Sequence, residues 1–234
     1  MPKDTLVELS RVTKSYPAGE ITIDVLRGVD LILRRDELVV VHGVSGCGKT
    51  TLLNLIGALD VPSSGDVVVD GALISGMTER ARARFRAVKV GFVFQFYNLL
   101  PTLTAVENVE AALEVLPMTR AEIQSRAYGY LSAVGLGDKA TKFPSQLSGG
   151  VQQRVAIARA LAKEPVLILA DEPTGNLDED SGLEVMRLMT ELRGSARAAV
   201  VVVTHNPDLS KFADRVLRID RGQIAQPLRA AGSS

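Results

Sequence analysis

The chain has 234 residues, of which 46% are hydrophobic and 23% charged, and its formal net charge is zero. This length suits one α/β domain with its own core, and the balanced charge gives no indication of nucleic acid as a partner. Cys47 is the only cysteine, which excludes an intrachain disulfide and a cysteine-ligated zinc cluster. No apolar run approaches the ~20 residues that span a bilayer, so we expect a cytoplasmic protein that reaches any membrane through a partner.

The first predicted elements are antiparallel strands. Residues 6–16 and 23–33 alternate apolar and polar side chains, as strands with one exposed face do. Residues 65–74 indicate a further strand pair with a turn at Asp70-Gly71. These segments together predict an antiparallel β-subdomain in the N-terminal part of the chain.

Three continuous apolar runs predict the central strands of a parallel sheet. They are Leu38–Val41, Val166–Ala170 and Ala199–Thr204, and none of them alternates with polar residues. Each run is followed at once by polar residues, and ligands of open α/β sheets bind beyond the carboxyl ends of the strands. We therefore expect the residues after these strands to meet at one edge of the sheet.

Helical periodicity dominates from about residue 103 to residue 161. The stop signals near Gly135 and before Pro165 agree with helices that end there. The sequence therefore predicts a mixed-sheet core that is interrupted by a helical subdomain. The last residues, 226–234, are expected to form a disordered tail.

The segment from Gly43 to Leu53 predicts a phosphate-binding loop, because it fits the pattern G-x-x-x-x-G-K-[ST]. Glycines let successive backbone N–H groups turn toward one anion, and the helix that follows favours negative charge at its start. Lys49 is expected to reach the β- and γ-phosphates, and the Thr50 hydroxyl to bind Mg²⁺. The predicted nucleotide-binding residues of this loop are Gly43, Val44, Ser45, Gly46, Cys47, Gly48, Lys49, Thr50 and Thr51.

Asp171 and Glu172 follow the second buried run directly. Two adjacent carboxylates at a strand end are equally compatible with a solvated turn. A phosphate-binding loop, however, needs an acidic partner for its metal ion. We therefore predict that Asp171 binds Mg²⁺ and that Glu172 polarises the attacking water, which indicates a hydrolase of a Mg²⁺–nucleoside triphosphate.

A second glycine motif, within Leu147–Pro165 (LSGGVQQRVAIARALAKEP), places Gly149 and Gly150 at the start of a helix that Ser148 is expected to cap. With this motif the chain resembles the nucleotide-binding subunit of ABC transporters, from about residue 5 to residue 225. The resemblance implies an α/β P-loop NTPase (RecA-like) core with an N-terminal antiparallel β-subdomain and an inserted helical subdomain. It implies one ABC ATPase domain over 1–234, with core and β-subdomain in about 1–94 and 162–225 and the helical subdomain in about 95–161.

The resemblance also implies roles for single residues. Tyr16 would stack on adenine, Gln95 would touch Mg²⁺ and water, and His205 would contact the γ-phosphate of ATP. In that family two chains sandwich two ATP molecules head to tail. The implied catalytic residues are Glu172, His205, Lys49 and Gln95, the metal ligands are Thr50, Gln95 and Asp171, and the contacts to the second chain's nucleotide are Ser148, Gly149, Gly150 and Asp178.

The segment 92–109 and the run ILADEPTGNLD are similar to the branch that holds lipoprotein-release, macrolide/peptide-export and cell-division ATPases. This implies a homodimer on the inner face of the cell membrane, bound to a separate permease through the helical subdomain and the Gln95 loop. A role in cell division stays open beside transport. The basic stretch Thr78–Lys89 is expected to be a solvated helix face, with contact to anionic lipid headgroups as the alternative. Two other protein classes are disfavoured. A DNA-repair ATPase would need coiled-coil or zinc insertions, which the sequence does not show, and a P-loop kinase would lack the second glycine motif, which it contains.

Overall fold

A computed structural model describes residues 4–196 and 198–225, and it falls into two compact units. The first unit, which we call the cradle unit, consists of Met1–Arg86 and Ala199–Ser234, and the second, the helical unit, consists of Ala87–Ala198. The predicted tail over 226–234 lies outside the described residues. The bounds predicted for the helical subdomain, about 95–161, stay a prediction.

The described chain contains ten strands and six α-helices. In chain order they are β1 (Thr5–Ala18), β2 (Ile21–Arg34), β3 (Leu38–His42), α1 (Lys49–Ile56), β4 (Ser64–Val69), β5 (Ala72–Leu73), α2 (Glu79–Lys89), β6 (Val90–Phe94), α3 (Ala105–Leu113), α4 (Arg120–Ala133), α5 (Gly149–Leu161), β7 (Leu167–Asp171), α6 (Glu179–Ala196), β8 (Ala199–Thr204), β9 (Arg215–Asp220) and β10 (Gln223–Ala225). Short 3-10 helices lie at Ile74–Gly76, Gly137–Lys139, Pro144–Gln146 and Pro207–Phe212. Among the described helices, none is long and apolar enough to cross a membrane.

The cradle unit contains the predicted antiparallel sheet, in the order β2-β1-β4-β5. Strand β1 pairs antiparallel with both β2 and β4, and apolar side chains such as Leu6 and Leu9 are almost fully buried. The turn between β4 and β5 lies at Asp70 (φ 49°) and Gly71 (φ 76°), as the sequence predicted. Two successive residues with positive φ are typical of the tight turn that matches the twist of a hairpin. The prediction of an antiparallel β-subdomain is therefore confirmed.

The cradle unit also contains the parallel strands β3, β8 and β9, joined in the order β10-β9-β3-β8. Strand β3 pairs in parallel with β8 from Leu38↔Val200 to His42↔Thr204. Their apolar residues are at most 1% exposed, which is why these two strands have continuous rather than alternating apolar sequences. Because the pairing is parallel, the residues that follow His42 and Thr204 leave the sheet at the same edge.

The helical unit combines the parallel pair β6–β7 with helices α3 to α6. Helix α5 packs against β6, α3, α4 and α6. Gly91 allows β6 to approach α5 closely, since a Cβ atom there would lie 2.7 Å from the carbonyl oxygen of Ala160. Thr104 and Thr119 begin α3 and α4 with reciprocal capping boxes. The helical stretch predicted over about 103–161 contains α3, α4 and α5, whereas α6 lies outside it.

The basic stretch Thr78–Lys89 forms helix α2, and none of its residues is buried. Arg82 and Arg86 both form ion pairs with Glu79, on the same helix. These pairs neutralise part of the charge locally, and both arginine side chains are only partly exposed, at 14% and 21%. The exposed arginines of the helix are Arg80 and Arg84, and the choice between a solvated face and contact with lipid headgroups stays a prediction.

Candidate active site

The phosphate-binding loop connects β3 to α1, and two of its glycines are required by their surroundings. Gly48 has φ 108° and immediately precedes α1. A Cβ atom at Gly48 would lie 3.0 Å from the carbonyl oxygen of Val25, and one at Gly43 would lie 2.6 Å from the carbonyl oxygen of Ile219. The backbone of the loop therefore packs too closely on its support for side chains at these positions, and loops of this kind can turn N–H groups toward an anion.

Lys49 lies inside the loop and is only 8% exposed. Its ammonium Nζ donates hydrogen bonds to the carbonyl oxygens of Gly43 at 2.7 Å and Val44 at 3.0 Å. A cation so little exposed is held in place by the loop, at the point where the sequence places triphosphate oxygens. Val44, Ser45 and Thr50 are exposed on the open side of the loop, whereas the Cys47 thiol is buried beneath it.

Tyr16 is held at both its ring and its hydroxyl group. The hydroxyl donates a hydrogen bond to Oδ2 of Asp60 at 2.8 Å, and Lys14 Nζ lies 4.7 Å from the ring centroid. Lys14 Nζ also donates to Oδ1 of Asp60 at 2.8 Å and to the carbonyl oxygen of Val61 at 2.8 Å. Burial and the contact with Asp60 raise the pKa of Tyr16, while a hydrogen bond with the Thr51 side chain lowers it. The aromatic ring therefore has a fixed orientation beside the helix that begins at Lys49.

His205 follows β8 directly and is exposed. Since Thr204 pairs with His42 in the β3–β8 register, His205 and Gly43 leave neighbouring parallel strands at the same edge. The structure thus brings together, within the cradle unit, the loop with Lys49 and Thr50, the histidine, and the loop's support at Val25 and Ile219.

In the helical unit, the register of β6 and β7 pairs Phe94 with Asp171, so Gln95 and Glu172 follow neighbouring parallel strands. Gln95 Nε2 donates to Oδ1 of Asn176 at 3.2 Å, and Asn176 Nδ2 donates to the carbonyl oxygen of Gln95 at 3.0 Å. These reciprocal hydrogen bonds hold Gln95 against the turn that follows Glu172. The sequence predicts a role for Gln95 but does not predict Asn176 as its partner.

Glu172 has a left-handed backbone conformation, with φ 46°. Its carbonyl oxygen accepts a hydrogen bond from the N–H group of Gly175 at 3.0 Å, which closes a turn directly after β7. A non-glycine residue in this conformation carries a strain of about 1 kcal/mol or more, and such residues concentrate at functional sites. Eight other described non-glycine residues, Asp70 among them, also have a positive φ, so the conformation alone does not single out Glu172.

Helix α5 begins at Gly149, and Ser148 occupies the position before it with extended backbone angles. The expectation that the Ser148 side chain caps this helix is wrong: within the described residues, its hydroxyl makes no capping hydrogen bond and is exposed. The backbone angles suit a cap, but the side chain forms no capping hydrogen bond. Among the described residues, those N–H groups therefore have no side-chain cap.

Gly149 and Gly150 pack on neighbouring segments of the helical unit. A Cβ atom at Gly149 would lie 2.6 Å from the Tyr97 hydroxyl, and one at Gly150 would lie 3.5 Å from the Ser181 side chain. Asp178 in turn caps α6, since its carboxylate accepts hydrogen bonds from the Ser181 N–H at 2.9 Å and hydroxyl at 2.7 Å. The backbone and hydroxyl bonds from Ser181 lower the pKa of Asp178. The Asp178 carboxylate is thus already engaged within its own chain.

The oxygen donors named for Mg²⁺ are the hydroxyl of Thr50, the amide oxygen of Gln95 and the carboxylate of Asp171. They fit Mg²⁺ chemically, because this ion prefers hard oxygen ligands and takes only one or two carboxylates beside phosphates and water. Among the described residues there is no cluster of three or more metal-binding side chains that would indicate a different metal.

Comparison with known proteins places this geometry in a family. A family model described as "ABC transporter" matches residues 26–175. The lipoprotein-releasing system ATP-binding protein LolD of Bordetella pertussis is 43% identical over 225 residues, which cover 95% of this chain and 97% of LolD. The macrolide export ATP-binding/permease protein MacB of Marinobacter nauticus is 45% identical over 94% of this chain, which corresponds to 34% of MacB.

A solved structure agrees over almost the whole chain. The dimeric ATP-binding cassette MJ0796, in a post-hydrolysis state bound to ADP and Pi, superimposes with a TM-score of 0.89 at 41% identity and covers 97% of this chain and 100% of its own. The predicted α/β cassette fold is therefore confirmed. By its sequence, its fold and its relatives, the chain belongs to the ABC transporter family, in which it is an ATP-binding subunit and an ATPase.

Proposed function

We propose that the chain binds Mg²⁺–ATP at the loop around Lys49 and hydrolyses it with Glu172 as the general base. Lys49, the loop N–H groups and His205 would stabilise the charge that develops on the transferred phosphoryl group. Thr50, Gln95 and Asp171 would hold Mg²⁺, which when bound would neutralise phosphate charge. Tyr16 would stack on the adenine ring.

The observation that carries this proposal is the buried ammonium group of Lys49 within a loop that has no room for side chains at Gly43 and Gly48. A loop carbonyl pair that already accepts hydrogen bonds from Lys49 orients the cation before ATP arrives. Preorganised charge of this kind stabilises a transition state without a cost of reorganisation. The turn that the Gly175 N–H closes on the Glu172 carbonyl oxygen, directly after β7, supports a defined position of the Glu172 backbone.

We propose further that two copies of the chain close on two ATP molecules head to tail. Ser148, Gly149, Gly150 and Asp178 would then complete the partner's nucleotide site, and the Ser148 hydroxyl, which caps no helix in its own chain, suits a contact in trans. The dimeric state of MJ0796, which is 41% identical, supports this arrangement. In such an isologous dimer each chain contributes one phosphate loop and one covering motif.

The proposed membrane partner is a separate permease, with the ATPase bound at the cytoplasmic face of the membrane. A groove of ≈ 250 Å³ in the helical unit supports this, since it combines an aromatic wall with two cationic side chains, and the nearby Phe96 is 72% exposed. An amphipathic segment of a partner suits such a groove. The lining residues include Phe92, Phe94, Asn98, Ala112, Arg159 and Lys163.

The names of two relatives support lipoprotein release or macrolide/peptide export as the process that is driven. The alternative is an ATPase that regulates cell-wall hydrolysis in cell division through a permease-like partner. We do not propose nucleic acid as a partner, because the formal net charge of the chain is zero. Purification of the chain with the membrane protein encoded beside it, followed by ATPase measurement with lipoprotein, macrolide or cell-wall hydrolase added, separates these cases.

The partner groove is tested by Phe96→Asp, which we expect to reduce the amount of co-purified permease. Phe143→Asp is the matched control, because Phe143 is another exposed aromatic residue of the helical unit. Equal recovery of the permease with both variants would contradict docking at this groove.

The catalytic assignment is tested by Glu172→Gln. We expect ATP affinity to be retained, hydrolysis to fall by on the order of 10²-fold or more, and a stable dimer to appear with Mg²⁺–ATP in light scattering. Glu191→Gln is the matched control, since Glu191 is exposed on α6 of the same unit. Undiminished hydrolysis by Glu172→Gln would remove Glu172 from the role of base, and a monomer under these conditions would contradict the dimer.

A further inference from the structure

Gln153, on α5, is a fully buried polar residue on an otherwise apolar helix face. Its exposure is 0%, and it lies on the same face as Ala156, Ile157 and Ala160, which are also buried. Its amide Nε2 donates hydrogen bonds to the carbonyl oxygens of Pro173 at 2.5 Å and Phe94 at 3.3 Å. One side chain therefore connects α5 with the ends of both β6 and β7.

These two carbonyl groups directly flank the proposed catalytic residues. Phe94 immediately precedes Gln95, and Pro173 immediately follows Glu172. The same helix begins with Gly149 and Gly150, the motif proposed to contact the partner's nucleotide. Gln153 thus sets the position of the backbone at Gln95 and Glu172 relative to the start of α5, all within the helical unit.

The amide oxygen of Gln153 has no hydrogen-bond partner within the described part of the chain. An unsatisfied buried oxygen is destabilising, so this glutamine is not the residue that maximises stability at the position. An apolar side chain of equal length would fill the space but would leave the two carbonyl groups without their donor. Gln153 therefore provides two donated hydrogen bonds at the expense of one unsatisfied amide oxygen.

We propose that Gln153 is a positioning residue for ATP hydrolysis, which fixes the distance between the backbone at Gln95 and the backbone at Glu172. This inference rests on the proposed function, because it takes Gln95 and Glu172 as the residues that orient metal-bound phosphate and water. A misplacement of about 1 Å at reacting groups lowers rates by on the order of 10²-fold, so a shared anchor of both strand ends affects turnover. Neither hydrogen bond involves a residue of the phosphate loop, so ATP affinity should not depend on it.

The first test is Gln153→Met, which keeps the length of the side chain, removes both donated hydrogen bonds and removes the unsatisfied oxygen. We expect a folded protein with ATP affinity within about twofold of the wild type and kcat lowered by about 10-fold or more at every pH. Circular dichroism and calorimetric titration of ATP measure the folded and binding-competent fraction. Wild-type kcat in folded Gln153→Met would overturn the proposal.

The second test is Gln153→Glu, whose carboxylate would face two carbonyl oxygens. Burial raises the pKa of such a carboxyl group, and the protonated acid can donate one hydrogen bond. We expect kcat to be lowest at pH 8 and to recover, relative to the wild type, toward pH 6. Gln124→Glu, at an exposed position of α4, makes the same chemical change and should follow the wild-type pH profile. A pH profile of Gln153→Glu equal to that of Gln124→Glu would count against the proposal.

Glu172→Gln, measured in the same assay, separates the two levels of inference. Hydrolysis by Glu172→Gln at the wild-type rate would overturn the proposed function itself. Loss of hydrolysis by Glu172→Gln together with normal kcat in Gln153→Met would leave the proposed function in place and refute only the positioning role.

Discussion

The hydroxyl group of Tyr16 donates a hydrogen bond to Oδ2 of Asp60 across 2.8 Å, while Lys14 occupies Oδ1 of the same carboxylate at 2.8 Å. Asp60 therefore fixes the proposed adenine-stacking ring from 44 positions farther along the chain. In Asp60→Ala both donors lose this acceptor, and we expect ATP affinity to fall by about 10-fold, the equivalent of one hydrogen bond. Calorimetric titration measures this.

Inorganic tripolyphosphate distinguishes the ring from the phosphate loop. It carries no base, so Asp60→Ala should bind it as tightly as the wild type does. Asp66→Ala, an exposed aspartate of β4, serves as the control and should bind both ligands normally. An equal loss of ATP and tripolyphosphate affinity in Asp60→Ala would mean that Asp60 supports the loop rather than Tyr16.

Lys163 gives a prediction for alkaline pH. Burial, followed by the charge of Arg159, lowers the pKa of Lys163 to about 8 from an ordinary value of 10.5. Between these pH values the unfolded chain binds more protons at this residue than the folded chain, so the free energy of unfolding should rise with pH. Well below pH 8 the lysine is charged in both states but buried only in the folded one, so its destabilising effect is largest there.

We expect the free energy of unfolding of Lys163→Met not to show this rise with pH, and we expect the variant to be more stable than the wild type below pH 8. Urea unfolding of both proteins at intervals from pH 7 to pH 10.5 measures it, with Lys139→Met as a control that changes a lysine of another element in the same unit. Parallel stability curves for the wild type and Lys163→Met across this range would refute the assignment.

Gly43→Ala should remove ATP binding. The new Cβ atom would lie 2.4 Å from the Cys47 sulfur and 2.6 Å from the carbonyl oxygen of Ile219, and the second contact is with backbone. Replacing Cys47 by alanine should therefore not rescue the variant. Gly129→Ala, where a Cβ atom meets nothing within 4 Å on α4, is the control and should be neutral or more stable by about 0.5–1 kcal/mol. Normal ATP affinity in Gly43→Ala would show that the loop tolerates this crowding.

Asn108 should prove a major contributor to stability. It is 1% exposed, its Oδ1 accepts a hydrogen bond from the N–H of Leu100 at 2.7 Å, and its Nδ2 donates to the carbonyl oxygens of Leu100, Leu103 and Thr104. We expect Asn108→Ala to lower the free energy of unfolding by about 2–3 kcal/mol, since buried backbone groups lose their partner. Urea unfolding measures the change. An effect no larger than that of the exposed Gln124→Ala would contradict it.

The parallel strands could be predicted because burial on both faces leaves a direct record in the sequence. The run Ala199–Thr204 coincides with β8, whereas the run Val166–Ala170 became β7 at Leu167–Asp171, one residue later. At this boundary the N–H group of Val166 bonds to the carbonyl oxygen of Lys89, just before β6 begins. Patterns of burial thus predict a strand, while its first residue depends on a partner that the pattern does not contain.

The partners of the predicted site residues could not be found in this way. Tyr16 matches a family position, but Asp60 becomes its neighbour only when β1 has packed beside the chain that follows α1. Gln153 carried a weak signal, as a glutamine at helical spacing from Ile157 and Ala160, yet its bonds to Phe94 and Pro173 require the folded unit. The residue type of Ser148 alone predicts a cap for α5, but the side chain forms no capping hydrogen bond in the folded chain.

At Glu172 the left-handed backbone conformation and the proposed catalytic role favour different residue types. Glycine adopts that conformation without penalty, so Glu172→Gly would relieve the turn after β7 and should raise the melting temperature even though its carboxylate is gone. Selection for heat resistance alone would then favour glycine at this position. The proposed catalytic carboxylate would therefore come at a cost in thermal stability.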